Sequence, residues 1–265
     1  MPIFIFLTIH WFLSLFSQTF FLHRYGAHRM FTLSRPAERV FYLLTFLSQG
    51  ASFLVPRAYA ILHRMHHAYS DTQRDPHSPH FFTNPARMMW QTKWTYAGLV
   101  QRKIEPAVEF TGDVPEWEAL DRFGDSMYTR VSWGVLYFWF YWQFATSLWM
   151  FALLPLHFLI GVVHGAIVNW CGHCYGYRNF ALRDRSRNTL PVDLLMMGEL
   201  YQNNHHRYPM RPHFAVRWFE FDPAYPLIWL LKQLRILRFR TSGVEQRRSI
   251  DDVLATNPGD EPGFL

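Results

Sequence analysis

Charge is what this chain is shortest of. Asp, Glu, Lys and Arg make up 17% of its 265 residues, below the quarter usual for soluble domains. The shortage is local: neither Pro2 to Leu22 nor Val131 to Tyr177 contains a formal charge, a pattern that suits segments lying in a bilayer. Cysteine is almost missing. Cys171 and Cys174 stand alone and exclude a disulfide framework. No basic residue precedes the first apolar run and no small-residue cleavage site follows it, so the run is expected to be retained rather than removed as a signal peptide. The net charge of +6 comes without an Arg-rich tract or a separate basic domain. That argues against nucleic acid as a partner and points to anionic lipid or a phosphate-bearing substrate. Internal repeats and low-complexity tracts are absent as well.

What is present is apolar and aromatic: half the residues are hydrophobic and 18% carry aromatic rings. As a helix, Pro2 to Leu22 rises roughly 32 Å, enough to cross a hydrocarbon core of about 30 Å. The second long run suits two spans, near 133–153 and 156–173, with Leu154-Pro155-Leu156 as the break. A shorter stretch, Val40 to Pro56, is interrupted by Ser48, Gln49, Gly50 and Ser52, and reads as an interfacial or buried helix near 38–55. Arg24, Arg29, Arg35 and Arg39 follow the first span, and Arg178, Arg183, Arg185 and Arg187 follow the last. The turn near Pro155 has no basic residue, so these arginines mark the cytoplasmic side. The expected architecture is an all-α integral membrane protein with about three transmembrane helices and a helical cytoplasmic cap. Residues 1–240 form one membrane domain in this reading, and 241–265 a loose tail.

Of the fourteen histidines, eight gather in short clusters, and His10, His77, His80, His157, His164 and His213 are read as structural or substrate-lining. His23 and His28 follow the first span, and His63, His66 and His67 follow the doubtful helix. His173 closes the last span, four residues after Asn169, and Gln202, His205 and His206 come later. Residues at i, i+3 and i+4 share one helix face, so His63, His66 and His67 are expected to converge on one point, as are Gln202, His205 and His206. His23 and His28 would stand about 140° apart on an α-helix, and are expected either to serve different metals or to be divided by a helix end. Eight clustered histidines suit two metal ions, although imidazole accepts iron, zinc and copper alike. His164 sits inside the last span, where a polar group must face protein, water or a substrate path. Cys171-Gly-His-Cys174 has the spacing of a disulfide isomerase motif, but it ends a membrane span instead of opening a helix.

The segments HRYGAHR, HRMHHAYSDTQRDPHSP, NWCGHCYGYR and GELYQNNHHRYP resemble, in order and spacing, the histidine boxes of membrane fatty acid desaturases, especially the acyl-CoA delta-9 type. The likeness extends from about Thr19 to Arg238. It implies two iron ions that use dioxygen and two electrons to remove hydrogens from adjacent methylenes. It also implies the ligands His23, His28, His63, His66, His67, His173, His205 and His206, with Asn169 holding a metal-bound water. Asp71 and Asp75 would orient imidazoles from behind. Gln202 stands where the family usually has histidine, which leaves its contact with iron open. The family's usual pattern has an extra span before the first box, so either three spans are expected to suffice or the sequence starts downstream of the natural start.

The substrate implied is a fatty acyl chain on CoA, on acyl carrier protein or in a lipid. Trp11, roughly 18 Å before His23 along a helix, is expected to help close the far end of an acyl tunnel that His164 also lines. No His-Pro-Gly-Gly haem motif and no iron–sulfur cysteines are present, so a separate ferredoxin or cytochrome with its reductase is expected. Two rivals remain. The same kind of centre hydroxylates alkyl, sterol or carotenoid substrates in related enzymes. A metal transporter would instead place its histidines near mid-membrane.

Overall fold

The computed structural model describes residues 1–240; the expected tail, 241–265, lies outside the described residues. Helix α1 (Pro2–Ser17) continues without a break into a π-helical segment, Gln18–Ala27. A short strand, β1 (Phe31–Leu33), precedes α2 (Arg35–Gln49) and α3 (Pro56–Tyr69). Next come α4 (Pro85–Val100), the single turn α5 (Val108–Thr111) and α6 (Glu118–Asp125). Helices α7 (Met127–Phe144) and α8 (Leu154–Cys174) are the other apolar pair. The chain finishes with α9 (Gln202–Arg207), α10 (Ala224–Gln233) and strand β2 (Leu237–Phe239).

Among the described residues, two helical stretches are long and apolar enough to cross a membrane, Pro2–Ala27 and Leu148–Cys174. Their neighbour α7 turns Val135, Leu136, Trp139 and Trp142 outward. The chain reverses over 145–147, earlier than the expected break at Leu154-Pro155-Leu156. Pro155 begins α8 instead of breaking it, because in a first turn its missing N–H has no helical partner to lose. One element departs from the all-helical expectation. β1 and β2 pair antiparallel, Phe31 opposite Phe239 and Leu33 opposite Leu237, and so join the end of the first histidine segment to the end of the described chain.

Helix α2 overlaps the stretch expected to be interfacial or buried, but starts and ends earlier than the expected 38–55. It buries Tyr42, Thr45, Phe46 and Gln49 and exposes Val40, Leu43, Leu44 and Leu47, an amphipathic division at helical spacing. Ser34 caps its start by accepting the Ala37 N–H. Gly50 ends it at φ +54°, where a β-carbon would run into the Tyr137 hydroxyl. The chain then turns back into α3, which packs against the π-helical segment. That reversal brings the first two histidine clusters together over a core of Phe20, Phe21, Leu22, Met30 and Phe31.

Candidate metal centre

In the π-helical segment hydrogen bonds run from residue i+5 back to i. The His28 N–H donates to the His23 carbonyl at 3.1 Å. Residues five apart therefore stack, as residues four apart do in an α-helix. Of the two alternatives expected for this pair, the helix end is the one found: the π-helical segment stops at Ala27 with His28 as its C-cap, and the two rings join one group, their centroids 5.0 Å apart. Arg24 anchors the widened turn from inside. It is fully buried, 2.8 Å from Asp222 and 3.7 Å from Glu199.

The other clusters also divide differently from expectation. His63 and His67 join His23, His28 and His205, with ligand atoms all within 4.8 Å of one another, while His66 joins His173 and His206. The reason is angular. Positions i and i+4 lie about 40° apart, but i+3 lies about 100° from i+4, so α3 presents two edges, one to each group. Adjacent His205 and His206 on α9 separate in the same way.

Within the five-histidine group, His28 Nε2 lies 2.7 Å from His63 Nε2. His205 Nε2 lies 3.0 Å from both His23 Nε2 and His67 Nε2. Nitrogens at right angles on one metal, with bonds of about 2.0–2.1 Å, would stand about 2.9 Å apart, so the spacing fits ligands to a shared ion. Burial, and then neighbouring imidazoles, hold His28, His63, His67 and His205 well below the usual histidine range. They are neutral at pH 7, the form that binds metals.

The three-histidine group has a plainer signature. His66 Nδ1 lies 2.9 Å from Asp75, His173 Nδ1 2.9 Å from Asp71, and His206 Nδ1 3.1 Å from Asp184. In all three rings Nε2 is buried without a partner. A carboxylate on Nδ1 fixes the proton there and presents the Nε2 lone pair, so three donors converge with no protein group to receive them. Burial alone would raise Asp71, Asp75 and Asp184, but their histidines outweigh it and carry all three well below the usual carboxylate range. Burial lowers His206 to about 4 in spite of Asp184. Burial also opposes a charged His66, yet Asp75 outweighs it and raises that ring above 6.5. The donor set fits a metal ion in each group.

The remaining expected residues fall as follows. Gln202 is buried and donates through Nε2 to the Glu199 carbonyl at 2.7 Å, with its side chain against Gly172. Asn169 is half-buried on α8, one turn before His173. Trp11 packs edge-on against His164 at 4.4 Å and donates through Nε1 to the Leu195 carbonyl at 3.1 Å. Two carboxylates escaped the sequence reading. One is Asp184. The other is Glu199, whose Oε2 lies 2.6 Å from His23 Nδ1 while its Oε1 accepts from Thr19. Glu199 could have been suspected as a lone acid after the apolar Leu194-Leu195-Met196-Met197; nothing in local spacing singled out Asp184. His77 is buried against His66, ring centroids 4.4 Å apart, with neither nitrogen partnered. It stands on the Asp75 side, in a grouping that shares His66 and Asp75.

Residues 1–233 match the family model described as fatty acid desaturase. The chain is 26% identical to the hex-5-enoyl-acyl-carrier-protein acetylenase of Moorena producens over 86% of this chain and 73% of that protein. It is 30% identical to the delta-9 desaturase-like 5 protein of Arabidopsis thaliana, over 82% and 70% respectively. With the sn-1 stearoyl-lipid 9-desaturase of a Synechocystis strain it shares 29% identity, over 82% of this chain and 64% of that one.

Proposed function

The chain belongs to the fatty acid desaturase family, and from that premise we propose that it is an oxygen-dependent acyl desaturase built on a histidine-held di-iron centre. The observation that carries this reading is the pair of donor groups: five imidazoles in mutual contact beside three whose free Nε2 atoms are each backed by a carboxylate. His23, His28, His63, His67 and His205 hold one iron in this reading. His66, His173 and His206 hold the other, with Gln202 nearby and Asn169 steadying a water. The irons supply the dioxygen- and electron-dependent removal of hydrogen from an unactivated methylene, which no side-chain acid or base can begin.

The chain's own residues have simpler tasks. Asp71, Asp75, Asp184 and Glu199 keep protons on the Nδ1 atoms of His173, His66, His206 and His23, which directs every Nε2 inward. Phe214, 4.6 Å from the His205 ring, helps exclude water. The acyl chain passes between α1 and α8, where Trp11 narrows the path. The outward apolar faces of α1, α2 and α7 lie against lipid, giving three crossings with α2 at the interface. Exposed Arg178, Arg183 and Arg185 lie on the cytoplasmic side with the histidines. Relatives named for a 9-desaturase support a delta-9 double bond. The carrier is CoA, acyl carrier protein or a lipid, the last two of which appear in relatives' names. Electrons arrive from a separate ferredoxin or cytochrome.

The test is fatty-acid profiling by gas chromatography–mass spectrometry in a host that supplies a redox chain, with His66→Ala as control and iron measured on the purified protein. A new unsaturated acid absent from the control, with about two irons per chain, is the expected result. A hydroxylated product would redirect the reading to hydroxylation, and protein without iron would overturn it.

A further inference from the structure

Besides His23 and His173 of the candidate centre, the apolar helices carry His10, His157 and His164, and the first two of these are partnered. His10 Nδ1 meets His157 Nδ1 at 2.7 Å, and His157 Nε2 meets the Tyr141 hydroxyl at 2.9 Å. Those contacts tie α1, α7 and α8 together. His164, two turns along α8 from His157, is different. It is completely buried, and neither ring nitrogen has a partner. A neutral imidazole always carries one donor and one acceptor, so both capacities go unmet in a region without bulk water.

Trp11 does not meet them. Its ring stands edge-on to His164, and its own N–H is taken by the Leu195 carbonyl. At i+3 and i+7 from Trp11, along α1 and into its π-helical continuation, Ser14 Oγ and Gln18 Oε1 are also buried and unpartnered. Unmet polar atoms thus continue from His164 along α1 towards the histidine groups. A plain hydrocarbon tail lying there would leave all of them unpaired, which buried polar groups rarely are.

We propose that His164 recognises a hydroxyl group carried on the hydrocarbon part of the acyl substrate. A hydroxyl can donate to one imidazole nitrogen or accept from the other, and Ser14 stands on the facing helix. His164 precedes His173 by nine residues, about 14 Å along α8. The hydroxyl therefore belongs about that far from the carbons that lose hydrogen, on the part of the chain deepest between α1 and α8. The proposal rests on the reading that an acyl chain occupies this space. The alternative source of the same hydrogen bonds is trapped water.

The test compares binding of ω-hydroxyicosanoic acid, a mid-chain hydroxyicosanoic acid and icosanoic acid to the purified iron-loaded protein, measured by equilibrium dialysis. His164→Phe and His164→Gln follow the same protocol. The expected result is a preference of about tenfold for one hydroxy acid, the worth of one buried hydrogen bond, lost in His164→Phe and partly kept in His164→Gln. Equal binding of all three acids by the wild-type protein would overturn the proposal and leave water as the occupant. So would a preference that survives in His164→Phe. If His164→Phe does not fold, the wild-type comparison and His164→Gln still decide. Equal binding by a protein that holds iron and desaturates palmitate removes this inference alone, whereas absence of both iron and acyl binding removes the desaturase reading with it.

Discussion

The His28 N–H donates to the His23 carbonyl at 3.1 Å, an i+5 contact that brings His28 beside His23 in the five-histidine group. If both residues serve one ion, their substitutions should not add. We expect His23→Ala and His28→Ala each to leave about one iron per chain, and the double variant to leave the same. His28→Ala combined with His173→Ala should leave almost none. Iron analysis of the purified variants is the measurement, and a double His23/His28 variant stripped of both irons would contradict the grouping.

Asp184 lies 3.1 Å from His206 Nδ1, with Ser186 hydrogen-bonded to its other oxygen. Asp184→Asn should weaken iron at the three-histidine group about 10- to 100-fold, the usual effect of losing a carboxylate behind a ligating histidine. Chelator competition should then release one iron early and the other on the wild-type schedule. Glu199→Gln should do the reverse, because Glu199 backs His23 in the five-histidine group.

The Tyr141–His157–His10 chain is structural in this account. Tyr141→Phe leaves His157 Nε2 buried without a partner, which should cost about 1–3 kcal/mol. Thermal unfolding in detergent should show the loss, with iron content unchanged. A normal melting temperature with impaired iron binding would mean that the chain acts on the centre instead.

Asp121 gives a pH signature away from the histidines. Burial raises its pKa to about 6, even though the hydroxyl of Tyr42, 2.6 Å away, favours the carboxylate. A raised carboxyl keeps its proton longer in the fold than in the unfolded chain. Its contribution to stability is full below the unfolded value of about 4 and falls away as pH climbs through 6. Asp121→Asn should therefore gain stability relative to wild type between pH 4 and 7, by on the order of 1–2 kcal/mol after solvent screening. Denaturation at the two pH values measures this; an equal difference at both would refute it.

Much of the fold was legible because its signals are local. Absence of charge over Pro2 to Leu22 marked α1, and the polar breaks in Val40 to Pro56 set that stretch apart from a full span; its helix, α2, proved amphipathic. The turn after α7 was misplaced because a proline inside an apolar run reads as a break, whereas its position in the first turn of α8 makes it a start. The β1–β2 pair was invisible because its partners stand more than two hundred residues apart.

The eight imidazoles of the candidate centre already stand out along the chain as four short segments. The sequence also marked Asp71 and Asp75, which lie close to the second box. How the histidines divide between two groups is a matter of packing. That division depends on the wider pitch between Gln18 and Ala27, and on the 100° between His66 and His67 around α3. Glu199 and Asp184 reach their histidines from 176 and 22 residues away. Contacts of that kind leave no periodicity in a chain, because packing in three dimensions makes them and neighbouring residues do not.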